Sequence, residues 1–312
     1  MGRRLDMEVF INLISRAFFM STPLVLGAVG EVIAERTGMM VTAVEGIFLI
    51  GAWGGFLGAY LSGNMLIGFL TAMACGLAVA LIYGVTTVYM YQHQIVMGTA
   101  IAILVTGFCS FFYRIVFGTP TTPLTVTPLS TISIPVLSDI PVVGNILFQQ
   151  NLVTYLTWIL VPIVFYVLFR TSLGLTLRSC GENPAAADAA GINVHRVRFL
   201  AVLLAGMLGG IAGAYYSLCN VGMYNAQIIG GRGWIAFGIC FLGNWNPVGS
   251  LIFGIVFGIS EAVGTYVRAL GLSSVPSELF SMLPYVLVIV LTVCRKNLHV
   301  PDKLGANYVK EE

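Results

Sequence analysis

The stretch Met65–Thr86 reads MLIGFLTAMACGLAVALIYGVT and contains no charged residue. Coiled as an α-helix at about 1.5 Å per residue, it is long enough to cross a bilayer core of roughly 30 Å. Similar apolar runs recur along the chain, and none shows the alternating pattern of a barrel strand. The runs are Val9–Gly30, Val44–Ser62, Met65–Thr86, Gln94–Tyr113, Leu152–Phe169, Phe199–Leu218, Trp234–Gly243, Val248–Val267 and Leu279–Cys294. They predict an all-α fold, a polytopic membrane helix bundle of about 8–10 helices in one domain over residues 1–312.

The composition excludes most other classes of protein. Of 312 residues, 15 are basic and 13 acidic, so only 9% are charged, while 58% are hydrophobic and the mean hydropathy is +0.93. A soluble domain carries roughly 25% charged residues. A soluble enzyme and a disordered chain are therefore excluded, and a net charge of +2 gives no basis for binding nucleic acid.

The distribution of basic residues predicts the orientation in the membrane. Ten of the fifteen fall in three segments, which hold Arg3 and Arg4; Arg170, Arg178, Arg196 and Arg198; and Arg295, Lys296, Lys303 and Lys310. Cytoplasmic segments of membrane proteins are enriched in Lys and Arg. We therefore expect cytoplasmic N- and C-termini, a cytoplasmic loop 170–198, a cytoplasmic tail 295–312 and an external loop 114–151.

This orientation conflicts with the number of runs. Four runs precede the loop 114–151, whereas a chain that starts inside must cross an odd number of times to reach the outside. Val9–Gly30 is the least regular of the four, because it contains Arg16 and is followed at once by Glu31 and Glu35. We therefore expect an irregular, non-spanning or split element between residues 9 and 43.

A nucleotide site, a metal site and a catalytic constellation are not indicated. The only lysines are Lys296, Lys303 and Lys310, and none is followed by Ser or Thr, so the chain has no phosphate-binding P-loop. Its histidines form no HExxH motif, and its six cysteines form no CxxC pair. We expect a chain that is not an enzyme and binds no cofactor.

The segment from Gly181 to Gly191 predicts a short helix outside the membrane. Asn183 suits the N-cap, Pro184 the first helical position and Gly191 the left-handed residue after the last turn. The helix would have seven residues, about 10 Å at 1.5 Å per residue, and so short a helix is marginal in water. It is either a docking element held by a partner or a solvated connecting turn.

Two places in the apolar runs are candidates for a translocation path. Glu45, followed by Gly46, begins a glycine-rich run, and a charge at the bilayer centre costs about 2.5–3.5 kcal/mol on insertion scales. Glu45 could instead be a structural carboxylate that caps broken backbone. Asn244 and Trp245 belong to the sequence Asn-Trp-Asn-Pro, which interrupts the run after Gly243 and predicts a broken or re-entrant helix.

Three motifs resemble one known family. The loop resembles the cytoplasmic loop of ABC-importer permeases that serve branched-chain amino acids, ribose-type sugars and nucleosides, through Leu175-Thr-Leu-Arg178-Ser-Cys-Gly181-Glu182-Asn183-Pro184-x-Ala186-Ala187-x-Ala189-Ala190-Gly191-Ile192. The run Gly206-Met-Leu-Gly209-Gly210-Ile-Ala-Gly213-Ala214 is also similar. Glu35-Arg36-Thr-Gly38, followed by Glu45-Gly46 and Gly51-Ala52, is most similar to the nucleoside branch.

The resemblance implies a permease subunit that moves a nucleoside or a related small polar solute. It implies a coupling helix, made by Gly181, Glu182, Asn183, Pro184, Ala187, Asp188 and Gly191, that contacts an ABC ATPase subunit carrying ATP and Mg. It also implies a substrate-binding protein outside the cell, a second permease subunit and a lipid environment. The sequence leaves open a simple sugar or a branched-chain amino acid as substrate, and an ion-coupled secondary transporter as a different class.

Two positions depart from the nucleoside branch. Val41 stands where that branch usually has Asn, and Ala43 stands where Gly is usual. An asymmetric pair of permeases would allow this replacement if the partner chain keeps the Asn. We therefore expect a heterodimer, with a homodimer as the alternative.

Overall fold

The computed structural model describes residues 2–120, 122–133, 135, 138, 140, 142–269, 282–295 and 298–309. Within these residues the chain forms a bundle of α-helices and one small antiparallel pair of strands, β1 (Ile132–Ser133) and β2 (Gln149–Gln150). The helices are α1 (Gly2–Glu35), α2 (Val44–Ser62), α3 (Met65–Gly84), α4 (Gln94–Phe117), α5 (Val143–Leu147), α6 (Leu152–Arg170), α7 (Ser172–Glu182), α8 (Pro184–Ala189), α9 (Val194–Tyr215), α10 (Arg232–Leu242), α11 (Pro247–Ala269) and α12 (Leu283–Cys294).

Seven of these helices are long and apolar enough to cross a membrane. They are α1, α2, α3, α4, α6, α9 and α11, and short π-helical segments, Val85–Tyr89 and Tyr216–Val221, extend α3 and α9. Two shorter apolar helices, α10 and α12, complete the bundle in the part of the chain that is described. The predicted all-α membrane bundle is confirmed.

The first helix differs from the expectation. α1 is one continuous helix from Gly2 to Glu35, with Pro23 inside it, and only residues 36–43 are irregular. Every side chain from Met20 to Glu35 is buried, because α9, α10 and α11 pack along this part of α1. The irregular element expected between residues 9 and 43 is therefore found at residues 36–43, whereas the suspicion that Val9–Gly30 is split or does not span is wrong. The charge in this run, Arg16, lies near one end of the buried part and is exposed.

The two ends of α1 lie on opposite faces of the bundle. Ser15 Oγ donates to the carbonyl of Asn145 (3.1 Å), and Gln150 Nε2 donates to the carbonyl of Ser15 (3.2 Å), so the start of α1 lies beside the long loop 118–151. At the other end, a Cβ at Gly181 would touch the carbonyl of Arg36, so α7 packs against the residues after α1. We call these the long-loop face and the strap face.

The strap face is named after residues 298–309, which we call the strap. The strap runs across α7, α8 and the start of α9, and its Lys303 amide donates to the carbonyl of Gly181 (2.9 Å). The start of α1 and the strap are thus on opposite faces, whereas the sequence predicts the N- and C-terminal segments on one side. Four crossings, α1 to α4, bring the chain back to the long-loop face, which resolves the conflict in the number of runs. Lys296, Lys310 and Asp139 lie outside the described residues.

Three glycine-containing helices, α2, α3 and α9, pack backbone to backbone. A Cβ at Gly51 would meet the backbone of Gly210, and a Cβ at Gly76 would meet the carbonyl of Gly206. The helices approach this closely because small residues allow backbone-to-backbone contact. These glycines therefore serve packing within one chain.

The predicted break after α10 is present. Residues 222–231 carry the chain inward from the end of α9, and α10 then runs to the strap face, where Asn244–Asn246 turn the chain into α11. The 11 residues of α10 span about 16 Å, roughly half of the bilayer core. Irregular backbone at this depth is tolerated only where protein or a polar cavity surrounds it.

The close packing of α3 against α9 makes a stability prediction with an internal control. Gly210→Ala forces a Cβ against the carbonyl of Ala72, and we expect a loss of about 1–3 kcal/mol, the range for overpacking a core. Gly107 in α4 has no neighbour within 4 Å of a built Cβ, so Gly107→Ala is expected to gain about 0.5–1 kcal/mol of helix stability. Thermal unfolding of the purified variants in detergent measures both, and equal midpoints for the two would contradict the packing.

Candidate functional site

The predicted site residues fall into two separate places. Residues 181–191, together with Asn244 and Trp245, lie on the strap face, whereas Glu45 and Gly46 lie inside the bundle. Gly46 packs on Ala102, eight residues into α4 from its first residue, which is about 12 Å from that end of the helix. The two groups therefore do not form one site.

The short helix predicted in the loop is present as α8. It has six residues, one fewer than expected, and the Asn183 side chain caps it by accepting from the Ala186 amide (3.0 Å). Gly191 has a φ of +85°, the left-handed conformation that ends the turn. Local sequence therefore fixes both ends of α8.

α8 is held from beneath by apolar packing. Ala187 is 2% exposed and packs with Cys180 and Val194 over the ring of Tyr308. The Tyr308 hydroxyl also donates to Asp188 Oδ2 (3.2 Å). The opposite side of the helix is exposed and carries only methyl groups, those of Ala185, Ala186 and Ala189. Such a surface lets another protein approach the backbone closely.

Gly181 and Glu182 fasten α7 to its neighbours. Gly181 is buried, and any side chain there would collide with the carbonyl of Arg36. Glu182 is exposed, and its Oε2 accepts from the Asp302 amide (3.4 Å). These contacts join the loop to the end of α1 and to the strap.

Arg198, one turn into α9, connects three segments of the strap face. The side chain is 2% exposed. Its guanidinium donates to the carbonyls of Thr37 (2.9 Å), Ala306 (2.9 Å) and Cys180 (3.2 Å). These carbonyls belong to the α1–α2 loop, the strap and α7, so one side chain fixes all three relative to α9.

Asn244 and Trp245 form the tight turn between α10 and α11, and both have a positive φ, +60° and +51°. Arg36 Nε donates to the carbonyl of Trp245 (2.8 Å) and Nη2 to that of Asn244 (3.2 Å). The buried Trp245 Nε1 donates to Glu35, and Asn244 Oδ1 accepts from the His299 amide (2.7 Å). The turn is thereby joined to the end of α1 and to the strap.

Glu45 caps the start of α10. Its Oε1 accepts from the Gly231 amide and its Oε2 from the Gly233 amide, both at 2.8 Å. The amides at a helix start have no partner within the helix, and a carboxylate there is also stabilised by the helix dipole. This geometry is that of the structural carboxylate that the sequence left as an alternative.

A polar cavity lies beside the same helix start. Arg232 Nε contacts Glu261 Oε1 at 2.6 Å, and the guanidinium lies over the ring of Tyr216, 5.2 Å from its centroid. The cavity measures about 210 Å³, and the polar side chains in its wall are those of Arg232, Glu261, Thr265, Arg268 and Tyr285. A charged, partly open space of this kind beside an irregular backbone suits a polar solute or water.

Sequence reasoning missed the contacts that organise the strap face. The sequence predicts Arg198 only as a charge that orients the chain, Arg36 only as part of a family motif, and residues 298–309 only as part of a tail. The motif Glu35-Arg36-Thr-Gly38 did carry a signal: Gly38 has a φ of +90°, and a Cβ there would collide with the Arg198 guanidinium. A glutamate and an arginine directly after an apolar run, followed by a glycine, thus indicate these contacts on the strap face.

The strap face presents a buried thiol and, on α8, small exposed side chains. Burial raises the pKa of the Cys180 thiol, which keeps this cysteine neutral and unreactive. Among the described residues, no three His, Cys, Asp or Glu side chains are grouped so that they could hold a metal ion. The exposed groups on the helix α8 itself are mainly methyl groups.

Replacement of Glu45 distinguishes capping from solute contact. Glu45→Ala leaves the Gly231 and Gly233 amides without an acceptor, and each buried unpaired group costs about 1–3 kcal/mol. Glu45→Gln retains one acceptor oxygen and should lose less. For the purified permease without solute, we expect the thermal midpoint to be highest with Glu45, lower in Glu45→Gln and lowest in Glu45→Ala. An unchanged midpoint for Glu45→Ala would contradict the capping role.

Comparisons with known proteins give one consistent family. The family described as "branched-chain amino acid transport system / permease component" matches residues 13–292. The nucleoside ABC transporter permease protein NupC of Lactococcus lactis is 32% identical over 96% of this chain and 97% of its own length. The guanosine ABC transporter permease protein NupQ of Bacillus subtilis is 32% identical, covering 93% and 94%. A putative glucose ABC transporter permease protein, TsgC13 of Haloferax volcanii, is 33% identical, covering 82% and 78%.

The fold also has a counterpart among solved structures. An inward-facing conformation of a putative metal-chelate type ABC transporter superposes with a TM-score of 0.53, covering 91% of this chain and 85% of that chain at 17% identity. At this identity the likeness concerns the fold alone. The family match covers most of the residues that form the bundle and all of the loop around α8. The chain therefore belongs to the permease component family of branched-chain amino acid transport systems and is a membrane-spanning permease subunit of an ABC importer.

Proposed function

We propose that the strap face is cytoplasmic and that α8 is the coupling helix on which the ATPase subunit docks. The observation that carries this proposal is the construction of α8: six residues, capped at both ends, held from beneath, and exposed only through small side chains. A helix so short is not stable alone, and this one is built into the strap face by Ala187 and Asp188. Family membership implies an ATPase partner and a substrate-binding protein.

The orientation follows from the described basic residues. Those on the strap face are Arg36, Arg170, Arg178, Arg196, Arg198, Arg295 and Lys303. By the positive-inside rule this face is cytoplasmic. The long loop 118–151 is then external, and so is the start of α1, although the sequence begins with the basic pair Arg3 and Arg4.

The proposed substrate is a nucleoside. Two of the most similar relatives are named for nucleoside or guanosine transport, and both are matched over nearly their whole length. A simple sugar is the second candidate, because a relative of similar identity is named for glucose. We place ATP and Mg on the ATPase subunit and no nucleotide site on this chain, which has no P-loop.

We propose that solute passes beside Glu45 and Gly46 and along the polar cavity next to Arg232. Glu45 then acts by positioning the start of α10, since both of its oxygens already accept backbone hydrogen bonds. Trp245 is fully buried and bonded to Glu35, so its role is to hold the end of the path at the strap face.

The second half of the path is proposed to be a different permease chain. Bacillus subtilis, which has the guanosine permease NupQ, also has a second guanosine ABC transporter permease protein, NupP, 24% identical to this chain. The Val41 position adds nothing to this argument, because the side chain is fully buried in the core and does not face a path. Purification of the complex through a tag on this chain tests the heterodimer. Two tagged copies without a second multi-span protein would indicate a homodimer.

The coupling role is tested on the exposed side of α8. Ala186→Trp places a bulky side chain on the docking surface while Ala187 and its packing remain, and Ala186→Ser is the matched control. We expect the Trp variant to reach the membrane in normal amounts. The rate of ATP hydrolysis stimulated by the loaded binding protein should fall at least about tenfold, the effect expected at an interface hot spot. Hydrolysis equal to that of the control would reject α8 as the coupling helix.

The same assay tests the substrate. We expect a binding protein loaded with guanosine to stimulate ATP hydrolysis, and one loaded with glucose not to stimulate it.

The orientation is tested by labelling intact cells. Single cysteines at Ser130, on the long loop, and at Ala186, on α8, are both exposed, and the background lacks native cysteines. An impermeant thiol reagent should label only Ser130→Cys, and an antibody should reach an epitope fused to the N-terminus. Labelling of Ala186→Cys alone would reverse the orientation, and an unreachable epitope beside a labelled Ser130→Cys would contradict the path of α1.

A further inference from the structure

The strap is anchored along its length. Its amides donate at three points: His299 to the side chain of Asn244 (2.7 Å), Lys303 to the carbonyl of Gly181 (2.9 Å) and Gly305 to the carbonyl of Gly38 (3.0 Å). Those acceptors belong to the α10–α11 turn, to α7 and to the α1–α2 loop. The strap is therefore a fixed part of the strap face.

Side chains fix its second half as well. Asn307 Nδ2 donates to the carbonyls of Tyr91 (2.5 Å) and Gln92 (3.3 Å), between α3 and α4. The Ala306 carbonyl accepts from Arg198 (2.9 Å). Residues 303–308 are thus held from both sides, and they carry their outward-facing side chains at defined positions.

The strap also supports α8 directly. The ring of Tyr308 packs against the core beneath the helix, formed by Cys180, Ala187 and Val194, and its hydroxyl donates to Asp188. A partner that contacts α8 is therefore in mechanical contact with the strap as well.

Between the helix and the strap lies an open groove of about 520 Å³. The α8 side contributes small and polar groups, whereas the strap side adds the longer side chains of Lys303 and Tyr308 and the exposed Val309. The walls are formed by Asn183, Pro184, Ala185, Asp188 and Ala189 on one side and by Lys303, Ala306, Asn307, Tyr308 and Val309 on the other. The groove is continuous with the exposed side of α8, so a protein seated on α8 covers it.

We propose that the strap is the second half of the ATPase docking surface, and that a side chain of the ATPase subunit enters the groove between α8 and residues 303–309. This inference rests on the proposed docking of the ATPase at α8. It adds a second contact, which links the ATPase through the strap to the α1–α2 loop, the α3–α4 turn and the α10–α11 turn at once.

Filling the groove tests the proposal. Ala306→Trp occupies the groove from the strap side, while the backbone bonds of residue 306 to Arg198 and Lys303 do not involve the side chain. Ala306→Ser is the control at the same position. Val300→Trp is the control on the same strap, at an exposed residue outside the groove.

The readout is the amount of ATPase subunit recovered with the tagged permease from native membranes. We expect recovery to fall at least about tenfold for Ala306→Trp and to stay within about twofold for both controls. Normal recovery with Ala306→Trp would overturn the proposal.

Cross-linking gives a second measurement that does not depend on a bulky substitution. A cysteine at Ala306, modified with a photoactivatable thiol reagent, should cross-link to the ATPase subunit; a failure of Ala306→Cys to do so in a transport-competent complex would also overturn the proposal. The Ala186→Trp variant separates the two hypotheses. If it loses the ATPase while Ala306→Trp retains it, only the role of the strap fails; if Ala186→Trp retains the ATPase, the docking at α8 itself fails.

Discussion

The strap face depends on the buried guanidinium of Arg198. Three carbonyl oxygens, from Cys180, Thr37 and Ala306, converge on it from three different segments of the chain. A buried charge is tolerated only where hydrogen bonds replace its hydration. The planar guanidinium supplies several donors in fixed directions, which an ammonium group does not. The end of α7, the α1–α2 loop and the strap are therefore one unit with α9.

This unit explains how a movement at the surface can reach the membrane. Arg198 lies near the start of α9, and α9 packs backbone to backbone with α2 and α3 through glycines. The end of α1 is joined to the α10–α11 turn through Glu35, Arg36 and Trp245. Because α10 starts at Glu45 inside the bundle and ends in this turn, it connects the interior with the strap face. A force on α8 or on the strap thus acts on α1, α9 and α10 together.

Local sequence predicts the elements of this fold well. The apolar runs correspond to the spanning helices, Asn183 and Gly191 mark the ends of α8, and the Asn-Trp-Asn-Pro sequence marks the break before α11. The reason is that length, capping and chain reversal are decided within a few residues. The sequence also allows a capping role for Glu45 as an alternative, because a carboxylate can accept hydrogen bonds from backbone amides that have no partner within a helix.

The long-range arrangement could not be predicted in the same way. The continuity of α1 depends on burial by α9, α10 and α11, which its own sequence with Arg16 and Pro23 does not indicate. Arg3 and Arg4 predict an N-terminus on the same side as the C-terminal tail, because counting charges weighs each segment alone. The contacts of Ser15 with Asn145 and Gln150 instead place this part of α1 beside the long loop, on the face opposite the strap. Two of the three contacts of Arg198, those with Thr37 and Ala306, join residues more than 100 positions apart, and no local pattern encodes them.

The most direct test of this account is a cryo-electron microscopy structure of the transporter assembled with its ATPase subunits. We expect the ATPase subunit to contact the exposed side of α8 and one of its side chains to lie between α8 and residues 303–309, with Arg198 still bonded to its three carbonyls. An ATPase subunit seated on another surface, with α8 and the strap left exposed to solvent, would contradict it.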